Sequence, residues 1–383
     1  MTPLNYRSAI FLALMSSAAI PADYKPVLCS EPRPYNGKPL FQGAALLPAE
    51  DFTLGIAFDT ATNERLNQAV TEAMKHTKAR AMTAAVASID GMWKADQSAD
   101  GTTPPVRFYW ASVGKSLTAT VILQLVEENK VSLDDSIARW LPAFPNSSAI
   151  RIDDLLQHTA GVFSANEDLV VRRERRYRSS DEGIAIAKKH GPMFCAGEHW
   201  RYSNTGYEML GKIIEAIEAR PYHEVIKRRI SDPLKLTTLR ALAPAEEPTD
   251  VAKLLPTQTN EPAVIPSWAN AAGNVVGSAE DMLKFWHALL TSKLLSQEST
   301  QRRFERLYPM FDAGTFYGRG VMLYSFVDGA AEKTWLGHSG GAPGVKAVVA
   351  FSPDTQTFVA VALTGDGSAE ASANLLLKRL RNL

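Results

Sequence analysis

Cysteine is nearly absent: Cys29 and Cys195 are the only two in 383 residues. Two thiols cannot build a four-cysteine zinc centre, and the seven histidines lack the close spacing to cysteines or carboxylates that a metal site requires, so no metal and no cofactor are expected. The two thiols can form one disulfide in an oxidising compartment or stay free, and the sequence leaves both open. Net charge is missing as well, with 41 Lys and Arg against 41 Asp and Glu, so the chain carries no electrostatic footprint for nucleic acid. Internal repeats and low-complexity tracts are absent, which excludes repeat arrays. The apolar stretch near the start is shorter than the ~20 residues of a membrane span. Arg7, the apolar run Ala9 to Leu14, the small residues through Ala19 and then Ile20-Pro21-Ala22 instead fit a secretory signal peptide over residues 1–22, cut after Ala22 or Ala19. A periplasmic or secreted protein with no stable membrane span after cleavage is expected, and nothing in the residues specifies an oligomeric state.

The remaining chain is long enough for a large core in two structural units. Residues 23–58 are rich in proline and polar side chains and read as an arm laid on the surface. Asp59 or Thr60 can cap a helix whose apolar positions include Leu66, Val70 and Ala73; Met82 to Ile89 then reads as a strand turning at Asp90-Gly91, and Val106 to Trp110 as another. From about Asn129 to Pro262 strands become scarce and helical periodicity dominates, at Asp153 to Leu156, Ser180 to Lys189, Tyr207 to Glu218 and Val225 to Ile230. Five arginines between Arg172 and Arg178 are read as a solvated helix face. After a helix through Met282, Phe285 and Leu289 the tail turns strand-rich: Gly320 to Val327, Thr334 to His338, Val345 to Phe351 and Phe358 to Leu363, closed by a helix from Glu370. Early and late strands together would form one antiparallel sheet flanked by helices, residues 59–115 and 265–383, with an all-helical domain, residues 116–264, inserted between them. The fold class is α/β plus all-α.

Chemistry is carried by three short patterns. Ser112-Val113-Gly114-Lys115 opens an apolar-periodic run through Leu117, Val121, Ile122 and Leu125, so a helix should begin here with Lys115 one turn from Ser112 on the same side. A hydroxyl is a weak nucleophile at neutral pH, and a lysine made neutral by burial can take its proton. Alone, the pattern is more often an ordinary helix-start serine. Tyr202-Ser203-Asn204 precedes a helix; a phenol beside a cationic lysine can have its pKa lowered and shuttle a proton, and the asparagine amide can hold substrate or lysine. His338-Ser339-Gly340 ends a strand, where a glycine lets a substrate backbone approach the sheet edge. Read singly these are a helix cap and a turn histidine, but the three in this order reinforce one another.

In this combination the sequence resembles the serine β-lactamases, D-alanyl-D-alanine carboxypeptidases and related esterases and D-aminopeptidases, with a β-lactamase/transpeptidase-like fold. Tyr202-Ser203-Asn204 and Leu155-Leu156-Gln157-His158-Thr159-Ala160-Gly161 resemble the class C branch, and the likeness to secreted D-alanyl-D-alanine carboxypeptidases runs from about Asp59 to the C-terminus, including Ser267-Trp268-Ala269 and Ala272-Gly273. The resemblance implies an acyl-enzyme on Ser112, with Lys115 and Tyr202 sharing the base and acid roles. Asn204 would position substrate, Trp268 would wall the cleft, and His338 would add hydrogen bonding and positive character. The backbone N–H groups of Ser112 and Gly341 would form the oxyanion hole. The substrate would be a small molecule or a peptidoglycan-type peptide.

Gly337-His338-Ser339-Gly340-Gly341 also fits the nucleophile elbow of α/β-hydrolases, but that elbow needs a helix after it and a later histidine, and His338 is the last histidine. Ser339 is therefore read as a substrate-binding hydroxyl on a strand. The alternatives carried forward are an esterase with little peptidase activity and a catalytically silent penicillin-binding or sensor protein. A departure from the carboxypeptidases lies at Met322, where alignment on Tyr317-Gly318-x-Gly320 places their carboxylate-binding arginine. Its absence implies a preference for neutral esters or amides over peptides ending in a free carboxylate.

Overall fold

The computed structural model describes residues 25–41, 43, 46–48, 54–174, 176–255, 264–312 and 314–382. The expected signal peptide lies outside these residues. The Asp59 carboxylate caps α1 (Thr60–Thr77) by accepting from the Thr62 amide at 2.9 Å, and Leu66, Val70 and Ala73 bury one stripe of that helix. The hairpin follows as β1 (Ala81–Ser88) and β2 (Gly91–Ser98), with Ser88 paired to Gly91 so that Ile89 and Asp90 make the two-residue turn. The chain then runs through β3 (Phe108–Tyr109) into α2 (Lys115–Glu127), and onward through α3 (Ile152–Gln157), α4 (Leu169–Glu174), α5 (Ser180–His190), α6 (Asn204–Glu218) and α7 (Tyr222–Ile226). It returns by β4 (Arg240–Ala241), β5 (Val275–Gly277), α8 (Ala279–Leu290) and α9 (Gln297–Arg302) to a strand-rich end: β6 (Tyr308–Pro309), β7 (Thr315–Tyr317), β8 (Met322–Asp328), β9 (Ala331–Ala342), β10 (Val345–Ser352) and β11 (Thr357–Thr364), then α10 (Ala369–Leu380).

Early and late strands join in one antiparallel sheet of order β2-β1-β11-β10-β9-β8-β7-β6. Both faces are buried, and alternation along each strand sorts the side chains. Val359, Val361 and Leu363 of β11 pack with α1 and α10, whereas Phe358, Ala360 and Ala362 pack with α8 in the core that continues into the helical region. Two features depart from the sequence reading. Strand β4 lies inside the stretch read as all-helical, and it forms a small sheet with β3 and β5. Strands of two or three residues, β6 and β7 among them, carry too few alternations to show a period.

The arm binds the helical region through backbone bonds, Val27 to Pro192, Arg33 to Ala196 and Asn36 to Glu198. Cys29 and Cys195 are joined in a disulfide with their Cα atoms 5.8 Å apart, which decides between the two alternatives. The arm thereby braces the segment that leads to Tyr202. Among the described residues no helix is long and apolar enough to cross a membrane.

Candidate active site

Ser112 sits in a 3-10 turn, Ala111–Gly114, just ahead of α2, rather than in the first turn of the α-helix itself. The turn is fixed on its entry side by Trp110, whose amide bonds the Val275 carbonyl and whose indole N–H bonds the Gly277 carbonyl, both at 2.9 Å. Ala111 has a φ of +47°, in the left-handed region where an L side chain costs roughly 1–2 kcal/mol, so the surrounding packing holds the turn in a strained form. Two glycines make that packing fit. A Cβ on Gly340 would collide with the Trp110 carbonyl and stand 3.1 Å from the Ser112 nitrogen, and one on Gly273 would stand 2.6 Å from the Ala111 carbonyl oxygen. Strand β9 therefore lies directly against the Ser112 amide, with Gly341 next along it.

Lys115 is fully buried, and its Nζ lies 2.7 Å from two acceptors, Asn204 Oδ1 and the Ala272 carbonyl, and 3.2 Å from Ser112 Oγ. Burial drives its pKa well below the ordinary lysine value, and Glu208 is the group that opposes this. The geometry accommodates the neutral amine: two hydrogens satisfy Asn204 and Ala272, and the lone pair is left for the Ser112 hydroxyl. The Nζ also stands 4.8 Å from the centre of the Tyr202 ring.

Tyr202 does not have the lowered pKa that a neighbouring cationic lysine would give it. Burial raises it far above the ordinary phenol value, with only a smaller opposing pull from the Ser112 hydroxyl. At neutral pH it is a phenol with a proton to give. Its position is set by His158, a residue quoted in the sequence for its motif but given no role. The His158 carbonyl accepts from the Arg201 amide at 2.9 Å and its Nδ1 accepts from the Ser203 amide at 3.1 Å, so one residue holds the chain on both sides of Tyr202. The rings lie 4.2 Å apart. Accepting at Nδ1 requires a neutral ring, and burial, then Lys115 and His338, keep its pKa well below the ordinary value. His158 ends α3 at φ +63°, a conformation the sequence does not announce, and its contact with Tyr202 across 44 residues has no local trace.

Strand β9 splits the third pattern. His338 pairs with Val349 and faces the helical side; Ser339 pairs with Val348 and faces α10. Two expectations are corrected here. His338 is buried and its pKa falls to about 3, through burial and then Lys115, so it brings no positive charge. Its Nδ1 lies 2.7 Å from the Ser339 carbonyl and must carry the hydrogen, which leaves Nε2 to accept from the Tyr317 hydroxyl at 3.1 Å. Ser339 is not a substrate-facing hydroxyl: only 1% exposed, its Oγ is 2.7 Å from the Tyr324 hydroxyl and donates to Glu370 Oε1 at 2.7 Å. Strand β9 continues to Ala342 with no helix behind Ser339, contrary to an elbow. Met322 is likewise on the α10 face and 1% exposed, beside the Tyr324 hydroxyl. Arg319 is occupied by Asp153.

Asn204 starts α6 and links the groups: Oδ1 holds Lys115, and Nδ2 donates to Asn166 Oδ1 at 3.0 Å. Trp268 is half-buried and shares a small cavity with Asn204. Ser112, Lys115, Tyr202, Asn204, His338, Gly340 and Gly341 thus converge on one place, with Trp268 at its border. Among the described residues no His, Cys, Asp and Glu cluster could hold a metal.

The Beta-lactamase family model matches residues 66–382. The chain belongs to the beta-lactamase family. Its fold is that family's, an antiparallel sheet flanked by helices. It is 31% identical over 261 residues to a putative penicillin-binding protein, PbpX, of Bacillus subtilis, a match covering 67% of this chain and 61% of that protein. It is 29% identical over 134 residues to the teichoic acid D-alanine hydrolase of Staphylococcus aureus, covering 35% and 32%. The chain therefore spans about three fifths of the first relative and one third of the second. Among solved structures it is similar to a D-stereospecific amidohydrolase from Streptomyces sp., at 25% identity and TM-score 0.68, covering 83% of this chain and 97% of that one. The D-amino acid amidase of Ochrobactrum anthropi shares the fold, at 22% identity and TM-score 0.72, covering 84% and 98%.

Proposed function

We propose that the protein is a serine hydrolase that opens amides or esters of D-amino-acid type through an acyl-enzyme on Ser112. The observation that carries this reading is Lys115, fully buried, its pKa lowered by burial and its Nζ 3.2 Å from Ser112 Oγ. Neutral Lys115 takes the Ser112 proton as Oγ attacks the substrate carbonyl. The Ser112 and Gly341 N–H groups receive the developing oxyanion, which forms beside the close contact of β9 with the Ser112 turn. As the tetrahedral intermediate collapses, the bond to the leaving nitrogen or oxygen breaks, and the raised phenol of Tyr202 supplies its proton, to be replenished from Lys115. A water then repeats the sequence on the ester and frees Ser112. His338, being neutral, contributes hydrogen-bonded order around Tyr317 rather than charge.

The leaving group is proposed to lack a free carboxylate. Met322 and Ser339 are both turned to the α10 face, and Ser339 already donates to a carboxylate, Glu370. A substrate carboxylate would forgo a charge-assisted bond, about 1.5–3 kcal/mol. The expected outcome is a higher kcat/KM for D-alanyl amides and esters than for the matching D-alanyl-D-alanine peptide; a clear preference for the peptide restores the carboxypeptidase. The Cys29–Cys195 disulfide supports export to the periplasm or beyond. Intact-protein mass spectrometry after a fluorophosphonate or a fluorescent penicillin tests the central reading. One adduct, mapped to Ser112, is expected, and a protein that never acquires one is the catalytically silent member instead.

A further inference from the structure

The wall behind Lys115 holds a second strained residue besides Ala111. Asn270 interrupts the 3-10 segment Pro266–Ala272 with φ +44° and ψ −141°, and it is buried, at 8% exposed. A residue with a side chain keeps such a backbone only where its surroundings fix it. Here its own side chain does the fixing. Nδ2 donates to the Arg178 carbonyl at 2.9 Å and, at 3.4 Å, to Glu208 Oε1, while Oδ1 accepts from the Tyr177 hydroxyl at 3.2 Å. The end of the arginine-rich stretch therefore bonds this wall. Downstream of Asn270 two successive carbonyls are spent on α2. The Ala271 carbonyl accepts from the Thr118 hydroxyl at 2.6 Å, and the Ala272 carbonyl accepts from Lys115 Nζ at 2.7 Å. Because the backbone turns only about φ and ψ, a change of either angle at Asn270 swings the peptide units that follow and moves the Ala272 carbonyl off the amine. A neutral Lys115 that loses this acceptor is free to rotate its lone pair away from Ser112.

We propose that Asn270 is a positioning residue for the base: by holding a positive-φ backbone through its side-chain bonds, it aims the Ala272 carbonyl at Lys115 and so turns the amine lone pair toward Ser112. The proposal rests on the acyl-enzyme reading, in which Lys115 takes the Ser112 proton. Asn270 acts only through Ala272 and Lys115. The groups facing Lys115 Nζ are Ser112, the Tyr202 and Tyr207 rings with centres at 4.8 and 5.5 Å, the buried His158 and His338, and Glu208. Of these, Glu208 is bonded to Asn270, so the test must separate its influence from that of the backbone.

Two variants do so. Asn270→Ala and Asn270→Gly both lose every side-chain bond, including the one to Glu208, but glycine takes a positive φ without strain and alanine does not. The measurement is stopped-flow acylation by a fluorescent penicillin or a fluorophosphonate, expressed per labelled site so that unfolded molecules drop out. In Asn270→Ala the maximal acylation rate should fall by about ten- to a hundredfold, with little change in the probe concentration that gives half of it. An acceptor holds the ammonium more strongly than the amine, so its loss should also move the pH midpoint of acylation down by about one pH unit. Asn270→Gly should recover most of the rate and keep the midpoint. If Asn270→Ala does not fold, Asn270→Ser takes its place, since it meets the same positive φ but keeps a hydroxyl to bond. Equal losses in the alanine or serine variant and in the glycine variant overturn the proposal, because the side-chain contacts and Glu208 then matter and the backbone does not. An unchanged rate per labelled site in the alanine or serine variant overturns it too, leaving Asn270 a purely structural residue. No labelling of the unmodified protein sinks the acyl-enzyme reading beneath it, whereas labelling that is indifferent to Asn270 sinks the positioning role alone.

Discussion

Two serines of this chain sit beside a tyrosine and a titratable group, and their surroundings make them opposites. Ser112 lies in a strained turn, partly exposed, with the Lys115 amine on one side and the Tyr202 phenol near it. Ser339 lies in the middle of a strand, closed off from solvent, between the Tyr324 hydroxyl and Glu370. Burial acts on both partners in the same physical sense, by penalising the charged form. For Lys115 that yields a neutral base able to take a proton; for Glu370 it yields a carboxylic acid with its pKa pushed up to about 7, which is a poor base below that pH. A serine becomes a nucleophile here only where burial leaves its neighbour unprotonated, with a free lone pair to take the hydroxyl proton, and where substrate can arrive.

The largest test of that contrast is removal of each hydroxyl. Ser112→Ala should abolish covalent labelling, while Ser339→Ala should keep it; an adduct that persists in the first and vanishes in the second reverses the assignment. Next is the base. Lys115→Arg puts a permanently charged group in place of the neutral amine, so acylation should fall by about 10²–10⁴-fold. In the unmodified protein acylation should rise with pH as Lys115 loses its proton, at a pH well below the ordinary lysine value. Stopped-flow acylation across pH checks both, and a flat profile would leave Tyr202 as the base.

A smaller effect is expected at His158. Loss of its Nδ1 acceptor in His158→Phe should let Tyr202 shift and slow acylation by about 10²-fold, whereas His158→Asn, which keeps an acceptor near Nδ1, should recover part of it. Equal rates in the two variants would mean that the ring merely fills space. The smallest effect belongs to Glu370. Because its folded pKa is raised, the native state holds an extra proton between the ordinary carboxyl range and about 7, and stability is lost as pH rises through that window. Glu370→Gln should flatten that loss, which is roughly 3 kcal/mol at most. Urea unfolding at pH 5 and pH 8 measures it, and identical slopes in the two proteins would remove Glu370 from the account.

Much of the fold was legible because its elements are long and periodic. The short apolar run Phe358 to Leu363, the helical stripe of Leu66, Val70 and Ala73, and the strand-poor middle each announce their class within a few residues. Strands β4, β6 and β7 were not legible, because two or three residues are held by their partners and not by their own pattern. The site divides along the same line. Ser112 and Lys115 are three residues apart, so local helix geometry was enough to bring them together. Ser339 was misread although the needed rule was in hand: adjacent residues on a strand face opposite ways, and His338 and Ser339 cannot both enter the same cleft.

By itself the sequence determined the serine and lysine pair, the order of its three patterns, and the apolar strand runs and helical periodicity that make a buried sheet with helices against it. These are properties of neighbours along the chain, set by backbone geometry. Only the tertiary structure decided that Cys29 meets Cys195, that His158 holds Tyr202 from both sides, that the Tyr202 pKa rises and His338 stays neutral, and that the buried Glu208 meets Asn270. Each of those depends on which distant groups displace water from a side chain, and desolvation is a property of the packed interior that no stretch of sequence carries on its own.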